Sequence, residues 1–282
     1  MKIAKTVEEV RNIRAMIRGR VGFVPTMGAL HEGHLSLVRL ARSQCDSVVV
    51  SIFVNPLQFG PTEDLARYPR PLERDCELLE REAVDVLFAP SVDDVYAGNA
   101  VTYVTVEGMS DRLCGKSRPG HFRGVTTVVA KLFHIVEPAK GFFGQKDAAQ
   151  CAIIRRMVRD LNFPIQIVVG PIVREVDGLA MSSRNVYLSP EQRKSALVLH
   201  RVLREMKAQF DRGERNSSRL VEAGKQVLAQ EPAARLDYLE AVDPETLEPV
   251  NEIHRDTLLA VAAFVGSTRL IDNVVLWAGN KS

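Results

Sequence analysis

The 282-residue chain is poor in cysteine and in net charge, and no apolar run in it is long. Its four cysteines, Cys45, Cys76, Cys114 and Cys151, lie far apart with no CxxC pair. That spacing argues against a zinc ribbon and against a disulfide framework, and it suits reduced thiols in a cytosolic protein. A net charge of +2, with the basic residues spread along the chain, gives no field that would mark a nucleic-acid or membrane-surface protein. No run is long enough to cross a bilayer. The first twenty residues, MKIAKTVEEVRNIRAMIRGR, lack the apolar core of a signal peptide and read as an amphipathic helix. Internal repeats and low-complexity segments are missing too. What is left is a soluble globular chain of cytoplasmic type, long enough for one large domain or two ordinary ones.

Up to about residue 170, short β-branched runs alternate with helical patterns. The runs are VGFVP (21–25), SVVVSIFV (47–54), VDVLFAP (84–90), VTYVTV (101–106), GFFG (141–144) and IQIVV (165–169). Helical segments fall near 33–44, 71–82, 123–136 and 147–161. Strands that are apolar throughout and separated by helices imply a parallel sheet covered on both faces. VTYVTV alternates more and suits an edge. From residue 174 the texture changes. SPEQ (189–192) opens a helix expected to reach Gly213, with Ser189 as cap, Pro190 in the first turn and Gln192 closing a capping box. A second helix near 217–230 and three strand-like runs at 236–242, 257–265 and 269–276 follow. The expected fold is α/β: a Rossmann-like parallel-sheet domain over 1–173 and a smaller C-terminal α+β domain over 174–282.

Three stretches carry chemistry. The first, PTMGALHEGH (25–34), is a turn from the first buried strand into a helix. Ligands of open parallel sheets bind beyond the carboxyl ends of the strands, and a helix N-terminus favours an anion there. His31 and His34 share one side of the first turn, and Gly28 and Gly33 allow close approach to the backbone. Three readings stay open: imidazoles donating to a triphosphate, a metal site completed by Glu32 or His121, or a helix start whose histidines do nothing. The zinc motif HExxH spaces its histidines by four, which HEGH does not match.

The second stretch, GFFGQKDAAQ (141–150), puts Lys146 and Asp147 at another strand end and Gln150 at the head of an inward stripe with Ile153, Ile154, Met157 and Leu161. A buried-side glutamine needs hydrogen-bond partners, which a ligand could supply; Asp147 and Gln150 would also fit a capping box. The third, AMSSR (180–184), offers two hydroxyls and a guanidinium in a polar junction able to fold over phosphates.

A histidine pair after the first strand and a later serine-rich basic loop resemble the nucleotidyltransferase superfamily of class I aminoacyl-tRNA synthetases and cytidylyltransferases. Along nearly its whole length the sequence is similar to the pantoate–β-alanine ligase family. The stretches that carry the resemblance are FVPTMGALHEGH, VVSIFVNPLQFGPTEDLARYPR, RPGHFRGVTTVVAKL, FFGQKDAAQ, VREVDGLAMSSRNVYL, DYLEAVD and GSTRLIDN. The resemblance implies ATP-dependent joining of pantoate and β-alanine through a pantoyl adenylate, with Mg2+, in a cytosolic homodimer. It puts Met27, Gly28, Ala29, Leu30, His31, Glu32, Gly33 and His34 around ATP, with Gly144, Gln145, Lys146, Asp147, Val173, Met181, Ser182, Ser183 and Arg184. It puts Gln58 and Gln150 on pantoate, with Gln58 also close to β-alanine, and His34 where a proton donor is usually described. His34, His31 and Lys146 are the expected catalytic residues, and Asp75 is the one acidic residue to transfer as a magnesium ligand. The sequence departs from the family at Gln145, where glutamate is commoner, but that side chain alternates away from Lys146. Asn55, Arg118 and His121 fall in family stretches without a role. A cytidylyltransferase-like transfer to a phosphate acceptor, a zinc hydrolase using His31, His34 and His121, and a non-catalytic ATP-binding module are the competing functions.

Overall fold

The computed structural model describes every residue except 62, 97, 99 and 280–282. Six parallel strands, β1 (Lys2–Ala4), β2 (Val21–Thr26), β3 (Ser47–Ile52), β4 (Val86–Phe88), β5 (Lys140–Gly144) and β6 (Gln166–Gly170), form one sheet in the order β1-β4-β3-β2-β5-β6. Consecutive residues of β2 and β3 are buried without alternation because helices cover both faces. Phe23, Val49 and Val86 point to the side of α1 (Val7–Met16) and of the helices over 121–136 and 148–160. Val24, Val48, Val50 and Leu87 point to α2 (Glu32–Gln44) and α3 (Leu72–Arg81). Two single-turn helices, α4 (Val92–Val95) and α5 (Cys114–Ser117), lead to α6 (His121–Val136), and α7 (Ala148–Asp160) follows β5.

Two expectations fail in this part. The N-terminus is not helix from its start: Lys2–Ala4 pairs with Val86–Phe88 as an edge strand before α1 begins. Three residues are too few to show a period of two, so pairing with β4 decides it. VTYVTV forms no strand. The Val104 N–H donates to Thr127 Oγ1 at 3.0 Å, and its carbonyl accepts from Thr126 Oγ1 at 2.6 Å. Hydroxyls of α6 thus satisfy the backbone groups that a neighbouring strand would otherwise have taken.

Beyond β6 come α8 (Pro190–Ala196), α9 (Val198–Asp211), α10 (Ser217–Ala229) and an antiparallel sheet of β7 (Ala234–Val242), β8 (Thr257–Val265) and β9 (Thr268–Leu276). The Ser189–Gln192 capping box forms as expected. The helix it opens breaks at Leu197, where the N–H bonds back to Lys194 C=O and tightens one turn. No Gly or Pro marks that break. β8 is apolar on both faces because it has two neighbours: Leu259, Val261 and Ala263 pack on α9 and α10, while Leu258 and Ala260 join the core under the parallel sheet. Polar ties run the same way. Arg174 makes a two-point ion pair with Asp272 at 2.7 and 2.9 Å, and Asn273 Nδ2 donates to the carbonyls of Gln145 and Lys146, each at 2.9 Å.

From β2 the chain moves outward through β3 to β4. It then returns to lay β5 against the other side of β2. The strand order therefore reverses between β2 and β5, and a crevice opens at their carboxyl ends. PTMGALHEGH leaves one of those ends and GQKD the other.

Candidate active site

The turn after β2 is built to an unusual backbone. Gly28 has φ +81° and Ala29 φ +50°, two successive left-handed residues. A side chain at Gly28 would lie 3.0 Å from Ile52 and 3.1 Å from the Asp75 carboxylate. Asp75, fully buried on α3, accepts the amides of Ala29 and Leu30, both at 2.8 Å. Its two oxygens therefore grip the turn. The expected magnesium ligand is, in this geometry, a backbone clamp.

α2 then begins with two imidazoles filling the roles of a capping box. His31 Nδ1 accepts the Gly33 N–H at 3.1 Å, and His34 Nδ1 accepts the His31 N–H at 3.3 Å. An accepting Nδ1 carries no proton, so each neutral ring bears its hydrogen on Nε2. The rings lie 4.0 Å apart and tilted by 34°. Burial, then the nearby Lys146, lowers His31 to about 4, and burial, then His31 and Lys146, holds His34 well below the ordinary value. Both are uncharged hydrogen-bond donors at neutral pH. Gly33 is needed for a reason nearer than a ligand: a Cβ there would sit 2.9 Å from the His31 ring.

After β5, Lys146 stands 3.6 Å from the Asp147 carboxylate. Gln145 turns away from it and donates to Asn273 Oδ1 at 3.0 Å. Asp147 caps nothing, so the capping-box reading of this stretch is not realised. Ile153, Ile154 and Met157 are buried below Gln150 as expected, but Leu161 lies past the helix end and is 53% exposed.

In the third stretch, Ser182 Oγ accepts the Arg184 N–H at 3.2 Å and Ser183 Oγ donates to the Ala29 carbonyl at 3.2 Å. Arg184 forms a two-point ion pair with Asp64 at 2.9 and 2.8 Å. Arg118 pairs with the adjacent Glu63 and also donates to the Gln58 carbonyl at 3.2 Å.

These parts face one cleft. His31, His34, Lys146, Ser182, Gln58 and Gln150 all line it. Met27, Gly33, Gly144, Asp147, Val173, Met181, Ser183 and Arg184 line it as well. Gly28, Ala29 and Leu30 lie behind its wall in the clamped turn. Glu32 faces outward, bound to Arg39 at 2.6 and 2.9 Å. Asn55, Tyr68, Arg118 and His121 join the lining. The acids that hold its arginines, Glu63 and Asp64, were invisible as such in the sequence; only the ED pair in GPTEDLARYPR hinted at them. A second hollow runs from Lys146 and Gln150 toward Tyr238 and Arg269.

Among the described residues no three His, Cys, Asp or Glu side chains are placed to share a metal ion. His121 has one ring nitrogen 2.8 Å from the Gln58 carbonyl and the other 3.0 Å from Arg118. Burial and then Arg118 push it down to about 4.

Residues 2–275 match the family model described as Pantoate-beta-alanine ligase. The chain belongs to the pantoate–β-alanine ligase family. It is 58% identical to the pantothenate synthetase of Koribacter versatilis over all of this chain and 98% of that one. It is 59% identical to the pantothenate synthetase of Acidobacterium capsulatum, over 98% and 97% of the two chains. The crystal structure of pantothenate synthetase from Thermus thermophilus superposes with a TM-score of 0.94 at 51% identity, over 97% of this chain and 99% of that one. The pantoate-beta-alanine ligase from Francisella tularensis, complexed with beta-gamma ATP and β-alanine, superposes at 0.80 with 35% identity, over 98% and 97%. The protein is therefore an enzyme, a ligase of pantoate and β-alanine, and its parallel sheet with a small antiparallel sheet is that family's fold. No described helix of this ligase is long and apolar enough to cross a membrane.

Proposed function

We propose that the cleft carries out the ligation in two steps on ATP. A pantoate carboxylate oxygen attacks the α-phosphorus, the bond to the leaving diphosphate breaks, and pantoyl adenylate forms. The neutral β-alanine amine then attacks the acyl carbon. AMP leaves, one amine proton is lost, and pantothenate results.

The observation that carries this reading is the convergence of His31, His34, Lys146 and Ser182 on a single cleft. Negative charge grows on the phosphoryl oxygens and on the departing pyrophosphate. Lys146 supplies a fixed positive charge, while the two imidazoles supply Nε2–H donors without adding charge. His34 thus acts by donating a hydrogen bond rather than as an imidazolium acid. Donors aimed at such charge are worth about 2.7–4 kcal/mol of barrier each. Gln58 and Gln150 carry both donors and acceptors and suit a hydroxy acid. Pro171, Ile172, Val125 and Phe142 give the cleft an apolar wall that keeps water from the adenylate.

In the same reading ATP occupies the His31–His34 side, and residues 174–282 act as a lid hinged near residue 174 on the body formed by 1–173. Mg2+ arrives on the nucleotide. Such a magnesium ion keeps its phosphate and water ligands and needs few carboxylates from protein, which fits a cleft whose acids are mostly paired. A homodimer in the cytosol completes the proposal.

Isotope exchange tests it. Labelled pyrophosphate should enter ATP only when pantoate is present. Active protein that shows no exchange would defeat the two-step course. Exchange supported by phosphorylated alcohols in place of pantoate would favour a cytidylyltransferase-like transfer.

A further inference from the structure

We propose that Tyr96 is a positioning residue. Acting through Asn55, together with the Gly124 carbonyl, it holds the Gln58 amide with its donor end toward the substrate. The inference rests on the reading that pantoate lies against Gln58.

Gln58 ends the short turn Pro56–Gln58 that follows β3. Its Oε1 accepts a hydrogen bond from Asn55 Nδ2 at 3.1 Å, and its Nε2 lies 3.1 Å from the Met27 sulfur. A thioether is a weak acceptor, so the NH2 group has capacity left for a better one. Gln58 therefore presents donors, not an acceptor, to the cleft, and what it can hold is a carboxylate or hydroxyl oxygen.

That polarity is inherited from Asn55, which is 1% exposed and uses both ends of its amide. Nδ2 donates to Gln58 Oε1 and to the Gly124 carbonyl, each at 3.1 Å. Oδ1 accepts the Leu57 N–H at 3.3 Å and the Tyr96 hydroxyl at 2.8 Å. The Leu57 bond is long and lies within the same turn, so it moves with Asn55. Two bonds come from separate elements: the Gly124 carbonyl of α6, which can only accept and so fixes Nδ2 as the donor end, and the Tyr96 hydroxyl just after α4, the shortest of the four, which holds the Oδ1 end in place. Tyr96 itself does not line the cleft. Its ring packs against Phe53, 6.0 Å between centroids, with Lys131 5.7 Å above it. The phenol thus reaches the substrate only through two amides in series. A buried network of this kind holds one orientation because the reversed one would face donor with donor.

Tyr96→Phe keeps the ring and removes the tether. The expected result is a pantoate KM raised about tenfold, the effect of one such hydrogen bond, with ATP KM and thermal stability close to wild type. Asn55→Asp keeps the acceptor for Tyr96 but loses the donor to Gln58 and to the Gly124 carbonyl, so the Gln58 amide turns over. Pantoate-dependent exchange should then fall by roughly a hundredfold or more while ATP binding persists. In the Asn55→Asp background, adding Tyr96→Phe should change pantoate KM little, because both substitutions break one chain. Equal changes in pantoate and ATP KM, no change in either, or fully additive effects would overturn the inference. Exchange that needs no pantoate in the wild type would sink the reading of the cleft instead. Pantoate-dependent exchange with an unaltered Tyr96→Phe sinks only the role of Tyr96.

Discussion

Replacing Asp75 with asparagine separates a clamp from a metal ligand. The carboxylate accepts two amides at 2.8 Å in a fully buried site. Asparagine keeps one acceptor and turns an NH2 group toward the other N–H. Losing a charge-assisted bond and leaving a buried amide unmatched costs about 2–4 kcal/mol. Burial raises the Asp75 pKa in spite of the two amides, so removing the charge recovers part of that loss. A net destabilisation of about 2 kcal/mol corresponds to a fall of about 4–8 °C in melting temperature for a chain near this size. The clamp also restrains Ala29, at φ +50°, a conformation that costs a non-glycine residue about 1–2 kcal/mol. Without the grip the turn relaxes, His31 and His34 move with it, and exchange activity should drop at least tenfold at every Mg2+ concentration. Thermal melts and a Mg2+ titration of the exchange rate at saturating ATP measure both effects. An Asp75→Asn enzyme that melts like the wild type and recovers full activity at high Mg2+ would refute the clamp and restore the metal ligand.

Three further outcomes are expected. His34→Ala or Lys146→Ala should slow adenylation by roughly a hundredfold or more with little change in ATP affinity, read by single-turnover kinetics; a variant that lost only affinity would contradict the donor role. His31 and His121 titrate near 4 in the fold against about 6.5 unfolded, so the unfolded chain binds more protons in that window. Stability from these groups is full above pH 6.5 and falls as pH drops toward 4, by about 3 kcal/mol for each. Urea midpoints across this range should show the slope, and His121→Gln should flatten it. Gly124→Ala would put a Cβ 2.3 Å from the Leu57 carbonyl. It should cost about 1–3 kcal/mol in urea melts and raise pantoate KM, because the displaced turn carries Gln58.

The sites of surprise share a cause. β1 has three residues and no periodicity of its own, so only β4 makes it a strand. VTYVTV has the periodicity but finds threonine hydroxyls where a partner strand would be. Asp64 meets Arg184 across 120 positions of sequence, and Asp75 meets Leu30 across 45. Nothing near either acid in the chain announces the partner. Asn55 is the instructive middle case. Its Asx turn with Leu57 is local and was open to a sequence reading, whereas its bonds to Gly124 and Tyr96 come from elsewhere.

Local order in this protein was written in its residue pattern: doubly covered parallel strands, the Ser189 cap, the C-terminal strands, two stretches that end strands with donors and cations, and a serine–arginine junction. Those signals depend on neighbours within a turn of helix or a strand's width, so sequence spacing suffices to read them. Tertiary structure alone decided that β5 lies beside β2, which brings HEGH and GQKD to the same crevice. It alone turned the two imidazoles into neutral Nε2 donors, Asp75 into a clamp and Gln58 into a donor. Asp75 grips amides 46 and 45 positions away, the imidazoles stay neutral because the packed chain buries them beside Lys146, and the Asn55 that orients Gln58 is itself held by Gly124 and Tyr96; only folding brings those groups together.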